Sequence, residues 1–188
     1  MDERELIYRS QNGDIDCFNQ LVKQYQEQVY NLALHMMGDG PTAADATQDA
    51  LFSAWRAIGR YRTGNFRAWL FRITTNVCRD KIRARKRHAT ISLDALPVEP
   101  DFSSSTNKSL EDPDDYILRI EINNEIRTGL MQLSHEQRLV VILSDIQGLS
   151  YEEISRIAGC SLGTVKSRLS RGRRILRDYL QQNGTLSS

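Results

Sequence analysis

The sequence predicts an all-α fold: two small helical domains joined by a flexible acidic linker. Three observations carry this. Apolar residues return at three- and four-residue steps through most of the chain, and no segment alternates convincingly with period two. Serine followed three residues later by glutamine or glutamate, a helix-start signal, occurs at Ser134 and Ser150. Between two periodic blocks, residues 89–112 hold three consecutive serines, two prolines and little periodicity. We place the first domain at 1–90, the linker at 91–112, the second domain at 113–182 and a tail at 183–188. A length of 188 residues with 40% hydrophobic content suits two small packed cores.

In the first block, Phe18, Leu21, Val22, Tyr25, Val29, Leu32, Ala33 and Met36 form one stripe of a long helix starting near residue 14. "GDGPTAAD" breaks it, and Pro41 suits the first turn of the next helix. Ala50, Leu51, Ala54, Trp55 and Ile58 give that helix a buried face. "GRYRTGN" reads as a loop, after which Asn65 can cap a third helix with Phe66, Trp69, Leu70, Ile73, Val77 and Ile82 facing inward. The second block opens at "EDPDDY", with Asp112 as cap, Pro113 as first helical residue, and Asp114 and Asp115 at the positive end of the dipole. That helix runs to about residue 133. Leu139, Val140, Ile142, Leu143 and Ile146 make the buried face of the next, which stops at Gly148.

Charge is segregated. The formal net charge is only +1, yet 79–88 and 161–180 are strongly basic, while 91–116 holds seven acids against Lys108. Local sign decides whether a surface attracts a polyanion. Cys17, Cys78 and Cys160 are far apart with no paired spacing, which argues against a disulfide framework or zinc site and fits a reducing compartment. His35, His88 and His135 are scattered, and no carboxylate cluster has a catalytic spacing, so neither an enzyme, a small-molecule substrate nor a cofactor is expected. The N-terminus is no signal peptide, and no apolar run reaches spanning length. A cytoplasmic protein without membrane insertion is the expectation.

"LSYEEISRIAGCSLGTVKSRL" has helix-turn-helix spacing. Ser150 starts a short helix, Gly159 ends it in a left-handed conformation, and Ser161 caps the next. There Val165, Leu169, Gly172, Leu176 and Leu180 face the core. Thr164, Lys166, Ser167, Arg168, Arg171, Arg173, Arg174 and Arg177 cover the outside, with Asp178 as the one acid. Such a helix fits the major groove, where arginine donates two hydrogen bonds to guanine and other cations hold phosphates. Ser155 stands where such motifs usually carry alanine.

The third helix of the first block starts apolar and ends basic, and its Asn76, Arg79, Asp80 and Arg83 share a face. Phe66 lies beside the preceding loop. Aromatics stack on unpaired bases while cations track the backbone, so this surface suits single-stranded or melting DNA. Trp69 reads as core.

"WLFRITTNVCRDKIRARKR" and "LSHEQRLVVILSDIQGLSYEEISRIAGCSLGTVKSRLSRGRRILRDYL" resemble regions 2 and 4 of bacterial sigma factors of the sigma-70 family, in the extracytoplasmic-function (ECF) subgroup. "AADATQDALFSAWRAI" resembles the part of region 2 that grips RNA polymerase. The resemblance covers about 14–90 and 113–181, in the right order. It implies an alternative sigma factor that binds core RNA polymerase, through the β′ clamp with region 2 and the β flap with region 4, and directs it to promoter DNA. Ser161, Thr164, Lys166, Ser167, Arg168 and Arg171 match the family's −35 contact positions, and Arg173 joins them on the same face. The loop 60–66, with Arg62, Asn65 and Phe66, would pocket a flipped −10 base, while Asn76, Arg79, Asp80 and Arg83 would line the strand. Asp45, Gln48, Asp49 and Phe52 fall in the polymerase-binding segment, where Phe52 and Trp55 also suit the core. The linker would thread toward the polymerase active centre. An anti-sigma factor is an implied partner, one that could hold the chain at the membrane. The competing reading is a stand-alone helix-turn-helix regulator, which leaves the second basic helix unexplained.

Overall fold

Helix boundaries along the chain coincide with residues that can satisfy loose backbone groups. A computed structural model describes residues 1–91 and 113–183. The described residues form helices and turns and contain no strand. They belong to two compact units, an N-terminal one carrying α1–α4 and a C-terminal one carrying α5–α8. The acidic linker, apart from Ile91, the Asp112 cap and the tail beyond Asn183 lie outside the described residues.

In the N-terminal unit, α1 (Glu3–Gln11) precedes the first helix foreseen from the sequence. It buries Leu6, Ile7 and Ser10 against α2. The Ser10 hydroxyl donates to the Leu6 carbonyl at 2.6 Å, so a polar residue sits on the apolar face with its bond satisfied. That substitution of serine for a hydrophobe, in a helix of only nine residues, is what hid α1 from periodicity. Asp14 then starts α2 (Ile15–Met37) by accepting from the Cys17 backbone N–H at 3.0 Å. The buried stripe of α2 holds Phe18, Leu21, Val29, Leu32, Ala33 and Met36, as the spacing predicts, whereas Val22 and Tyr25 are half-buried.

Helix α3 (Gly40–Ala57) carries Pro41 in its first turn. Its innermost positions are four alanines, Ala43, Ala46, Ala50 and Ala54, all fully buried. Leu51 and Trp55 are half-buried and Phe52 is 60% exposed, so Phe52 does not belong to the core. A short 3₁₀ turn, Ile58–Arg60, leads into the loop before α4 (Phe66–Ile91). Asn65 caps α4, its side-chain oxygen accepting from the Ala68 N–H at 3.2 Å. Helix α4 packs on α2 through Phe66, Leu70, Phe71, Cys78 and Ile82.

In the C-terminal unit, α5 (Pro113–Met131) ends two residues before the expected position. Leu133 follows it into the core, and Arg138 reaches back over the helix end. Helix α6 (His135–Val141) starts with the predicted capping box, Ser134 with Gln137. It continues as a π turn over Ile142–Ile146, where Gln147 N–H bonds Ile142 O at 2.9 Å. The wider turn rotates the last residues outward. Ile146, expected in the core, is 41% exposed, and Leu149 occupies the buried place instead. Helices α7 (Tyr151–Ala158) and α8 (Leu162–Gln182) complete the unit. Gly172 lets α8 lie against α6: a Cβ there would stand 2.8 Å from Val141 Cγ2.

Candidate nucleic-acid interface

The helix-turn-helix is built from three local devices. The Ser150 hydroxyl accepts from the Glu153 N–H, and the Glu153 carboxylate accepts from the Ser150 N–H at 3.0 Å. Gly159 ends α7 at φ 68°, ψ 40°. The Ser161 hydroxyl accepts from the Thr164 N–H at 3.2 Å and starts α8. Ser155, the departure from the usual alanine, is used: its hydroxyl donates to the Cys160 carbonyl at 2.5 Å and braces the turn.

Val165, Leu169, Gly172 and Leu180 of α8 are buried and Leu176 is half-buried, which aims the opposite face at solvent. Ser161, Lys166, Ser167, Arg171, Arg174 and Arg177 are exposed, and Thr164 is half-exposed. Two arginines assigned to that outer face have a second engagement. Arg168 is bound to Glu136 of α6 at 2.9 Å. Arg173 forks onto Asp145 of the π turn at 2.9 and 2.5 Å. They flank the face and fasten α8 to α6 and its π turn. Burial would raise the Asp145 carboxyl, but the hydrogen bonds from Arg173 and Ser144 hold it below its ordinary range. The same hydrogen bond from Arg173 raises the guanidinium's own pKa. Both shifts describe one stabilised pair. An open cleft of about 440 Å³ runs along the basic side, lined by Tyr151 together with Lys166, Arg171, Arg173, Arg174 and Arg177.

On α4, Asn76, Asp80 and Arg83 are exposed and Arg79 is half-buried, at the spacing that puts them on one face. Arg83 and Asp80 pair at 3.3 Å, but with side chains 72% and 74% exposed the pair contributes little. Phe66 corrects the sequence expectation. It is 2% exposed, enclosed by Tyr25, Tyr61 and Trp69 with ring centroids 5.3–5.6 Å away, and has no free face for a base. Its apolar bulk is worth more in the core than at the rim. Arg62 and Asn65 are exposed on the loop. Tyr61, which sequence reasoning passed over, arches the loop by donating its hydroxyl to the Gly64 carbonyl at 2.6 Å.

Asp45, Gln48, Asp49 and Phe52 are all exposed, on one face of α3. Gln48 and Phe52 border an apolar groove of about 620 Å³ between α2 and α3, walled by Ile15, Phe18, Val22, Leu51 and Trp55. Asp49 pairs with Lys81 of α4 at 2.7 Å. Arg56 lies over the Phe52 ring at 5.1 Å. Among the described residues no group of His, Cys, Asp or Glu is arranged to hold a metal, and no helix is long and apolar enough to cross a membrane.

A helix-turn-helix with a basic outer face in one unit, and a second basic helix behind a braced loop in the other, define a two-part DNA-binding protein. Comparison with known proteins narrows this. Residues 21–88 match the model for sigma-70 region 2, and residues 123–176 match that for sigma-70 region 4. The chain is 38% identical to the ECF RNA polymerase sigma factor SigE of Mycolicibacterium smegmatis, over 89% of this chain and 63% of that protein. It is 33% identical to the RNA polymerase sigma-H factor of Pseudomonas aeruginosa, over 95% of this chain and 94% of that one. Among solved structures it is similar to the sigma factor RpoE bound to the anti-sigma factor NepR from Bartonella quintana. There the TM-score is 0.68 at 29% identity, covering 87% of this chain and 96% of the other. It is also similar to CnrH in complex with the cytosolic domain of CnrY, with a TM-score of 0.67 at 25% identity, covering 96% and 99%. The chain belongs to the sigma-70 family, in its ECF subgroup. It is an alternative sigma factor, a protein that directs promoter-specific transcription.

Proposed function

We propose that the chain acts as two DNA readers carried on one core RNA polymerase. Helix α8 enters the major groove of the −35 element. Ser161, Thr164, Lys166, Ser167 and Arg171 are at the base edges and nearest phosphates, and Arg168 and Arg173 hold the helix at its docking angle. The N-terminal unit, residues 1–90, takes the −10 element as it melts. Arg62 and Asn65 meet the displaced base, and Asn76, Arg79, Asp80 and Arg83 follow the strand. Asp45, Gln48, Asp49 and Phe52 form the contact with the β′ clamp, and the groove beside them accepts apolar side chains. The unit at 113–182 meets the β flap.

The acidic linker, threading toward the active centre, mimics nucleic acid there and keeps the free protein from gripping DNA. The chain itself performs no chemistry; polymerase does. This work belongs in the cytoplasm. A relative solved with an anti-sigma factor supports such a partner here, and in this reading that partner can hold the chain at the membrane.

The observation that carries this reading is the presence of a basic, exposed helical face in each unit, with an acidic, exposed face on α3. The test is copurification with core polymerase, followed by open-complex formation on a supercoiled promoter. Tight operator binding by the chain alone, without polymerase affinity, would instead identify a stand-alone helix-turn-helix regulator.

A further inference from the structure

Gln11, the last residue of α1, reaches the foot of the loop before α4. Its side-chain amide donates to two backbone carbonyls there, Tyr61 O at 2.6 Å and Ile58 O at 3.1 Å. These two residues bracket the 3₁₀ turn, whose own bond runs from Tyr61 N–H to Ile58 O at 3.0 Å. Both hydrogens of the amide are thus engaged by one turn.

Above this foot, Tyr61 anchors the loop. Tyr61 is 9% exposed, its ring lies edge-on to Phe66 and Trp69, and its hydroxyl bonds Gly64 O. Gly64 takes φ +118°, which side-chain-bearing residues rarely adopt. All four residues between Tyr61 and Phe66, Arg62, Thr63, Gly64 and Asn65, are exposed. At the other end of α1, Glu3 accepts from the Tyr25 hydroxyl, and the Tyr25 ring packs on Phe66 at 5.6 Å. One helix therefore holds both ends of the loop, its start through Gln11 and its end through Glu3 and Tyr25.

We propose that α1 is a brace for the loop that selects the −10 base, and that Gln11 is a positioning residue for that selection without touching DNA. The inference rests on the reading of this loop as the −10 reader. Gln11→Met keeps the length of the side chain and removes both donors. Gln11→Lys returns a donor of similar reach. Holoenzyme reconstituted with each variant is assayed for transcription from two promoter libraries, one randomised at −10 and one at −35, alongside competition for core polymerase and thermal melting.

Gln11→Met should flatten the −10 preference by about threefold to tenfold, the worth of one or two hydrogen bonds. The −35 preference and core competition should stay unchanged, and Gln11→Lys should regain most of the −10 preference. A merely structural role would lower melting temperature and all activities together. If Arg62→Ala with Thr63→Ala flattens the −10 preference but Gln11→Met does not, the brace is refuted while the loop reading stands. If neither shifts it, the loop reading falls and takes the brace with it. Equal flattening by Gln11→Met and Gln11→Lys would overturn positioning by hydrogen-bond donation.

Discussion

Arg138 is only 3% exposed. Its guanidinium donates to Leu130 O at 2.8 Å and to Met131 O and Leu133 O at 3.1 Å each, so it closes the carbonyl end of α5. Burial brings its pKa down to about 10, still well above neutrality, so it stays charged and its donors stay in place. Arg138→Leu should destabilise the chain by about 2–4 kcal/mol in urea unfolding, because buried carbonyls lose their partners. Arg138→Lys should recover little, since an ammonium lacks the planar fork. A loss under 1 kcal/mol would show that water replaces the guanidinium. On the proposed DNA face, the ion pairs divide the arginines. Arg171→Ala should cost about tenfold or more in discrimination between −35 variants. Arg168→Ala should cost less, and combining it with Glu136→Ala should add nothing beyond the larger single effect in a double-mutant cycle. Additive effects would return Arg168 to direct DNA contact. The outward face of α8 was readable as charge and spacing. Its division was not, because Glu136 and Asp145 lie about thirty residues away in sequence.

At the scale of elements, the start of α2 shows how a local cap becomes a pH dependence. The Cys17 backbone N–H, with the Cys17 thiol and the Arg9 guanidinium at 2.6 Å, holds the Asp14 carboxyl below its ordinary value of 3.8. The folded pKa is thus lower than the unfolded one. The stability it contributes is fully present above the unfolded value and is lost as the pH falls through the folded one. Asp14→Asn keeps a capping oxygen and removes the titration. Its melting temperature should therefore fall less steeply than that of the parent chain below about pH 4; parallel curves would refute the role. Caps of this kind were the most legible features of the sequence. Ser134, Ser150, Gly159 and Ser161 all act where expected, because a cap is decided within four residues. The elements misread were those shaped by longer-range or non-standard geometry. Helix α1 hides a serine on its apolar face, and the π turn after Val141 shifts Ile146 out of the stripe that a 3.6-residue period assigns it.

For the whole molecule, the proposed function has promoter choice depend on both units on one polymerase, so perturbing the proposed polymerase face should separate affinity from preference. Asp49→Arg should lower core affinity about tenfold while leaving −10 and −35 preferences unchanged. Asp49 also pairs with Lys81, so Lys81→Met supplies the control. Breaking that half-exposed pair alone should change core affinity by no more than about twofold. Unchanged affinity in Asp49→Arg would remove α3 from the polymerase contact. The all-α class, the helix-turn-helix, the two basic helices and the acidic stretch between them were set by composition, spacing and capping chemistry. Each is a property of residues near one another along the chain. The enclosure of Phe66, the hold of Gln11 on the loop, and the pairing of Arg168 and Arg173 came from packing. Each joins residues from separate helices or turns, and local periodicity says which face turns inward but not which distant side chain meets it there.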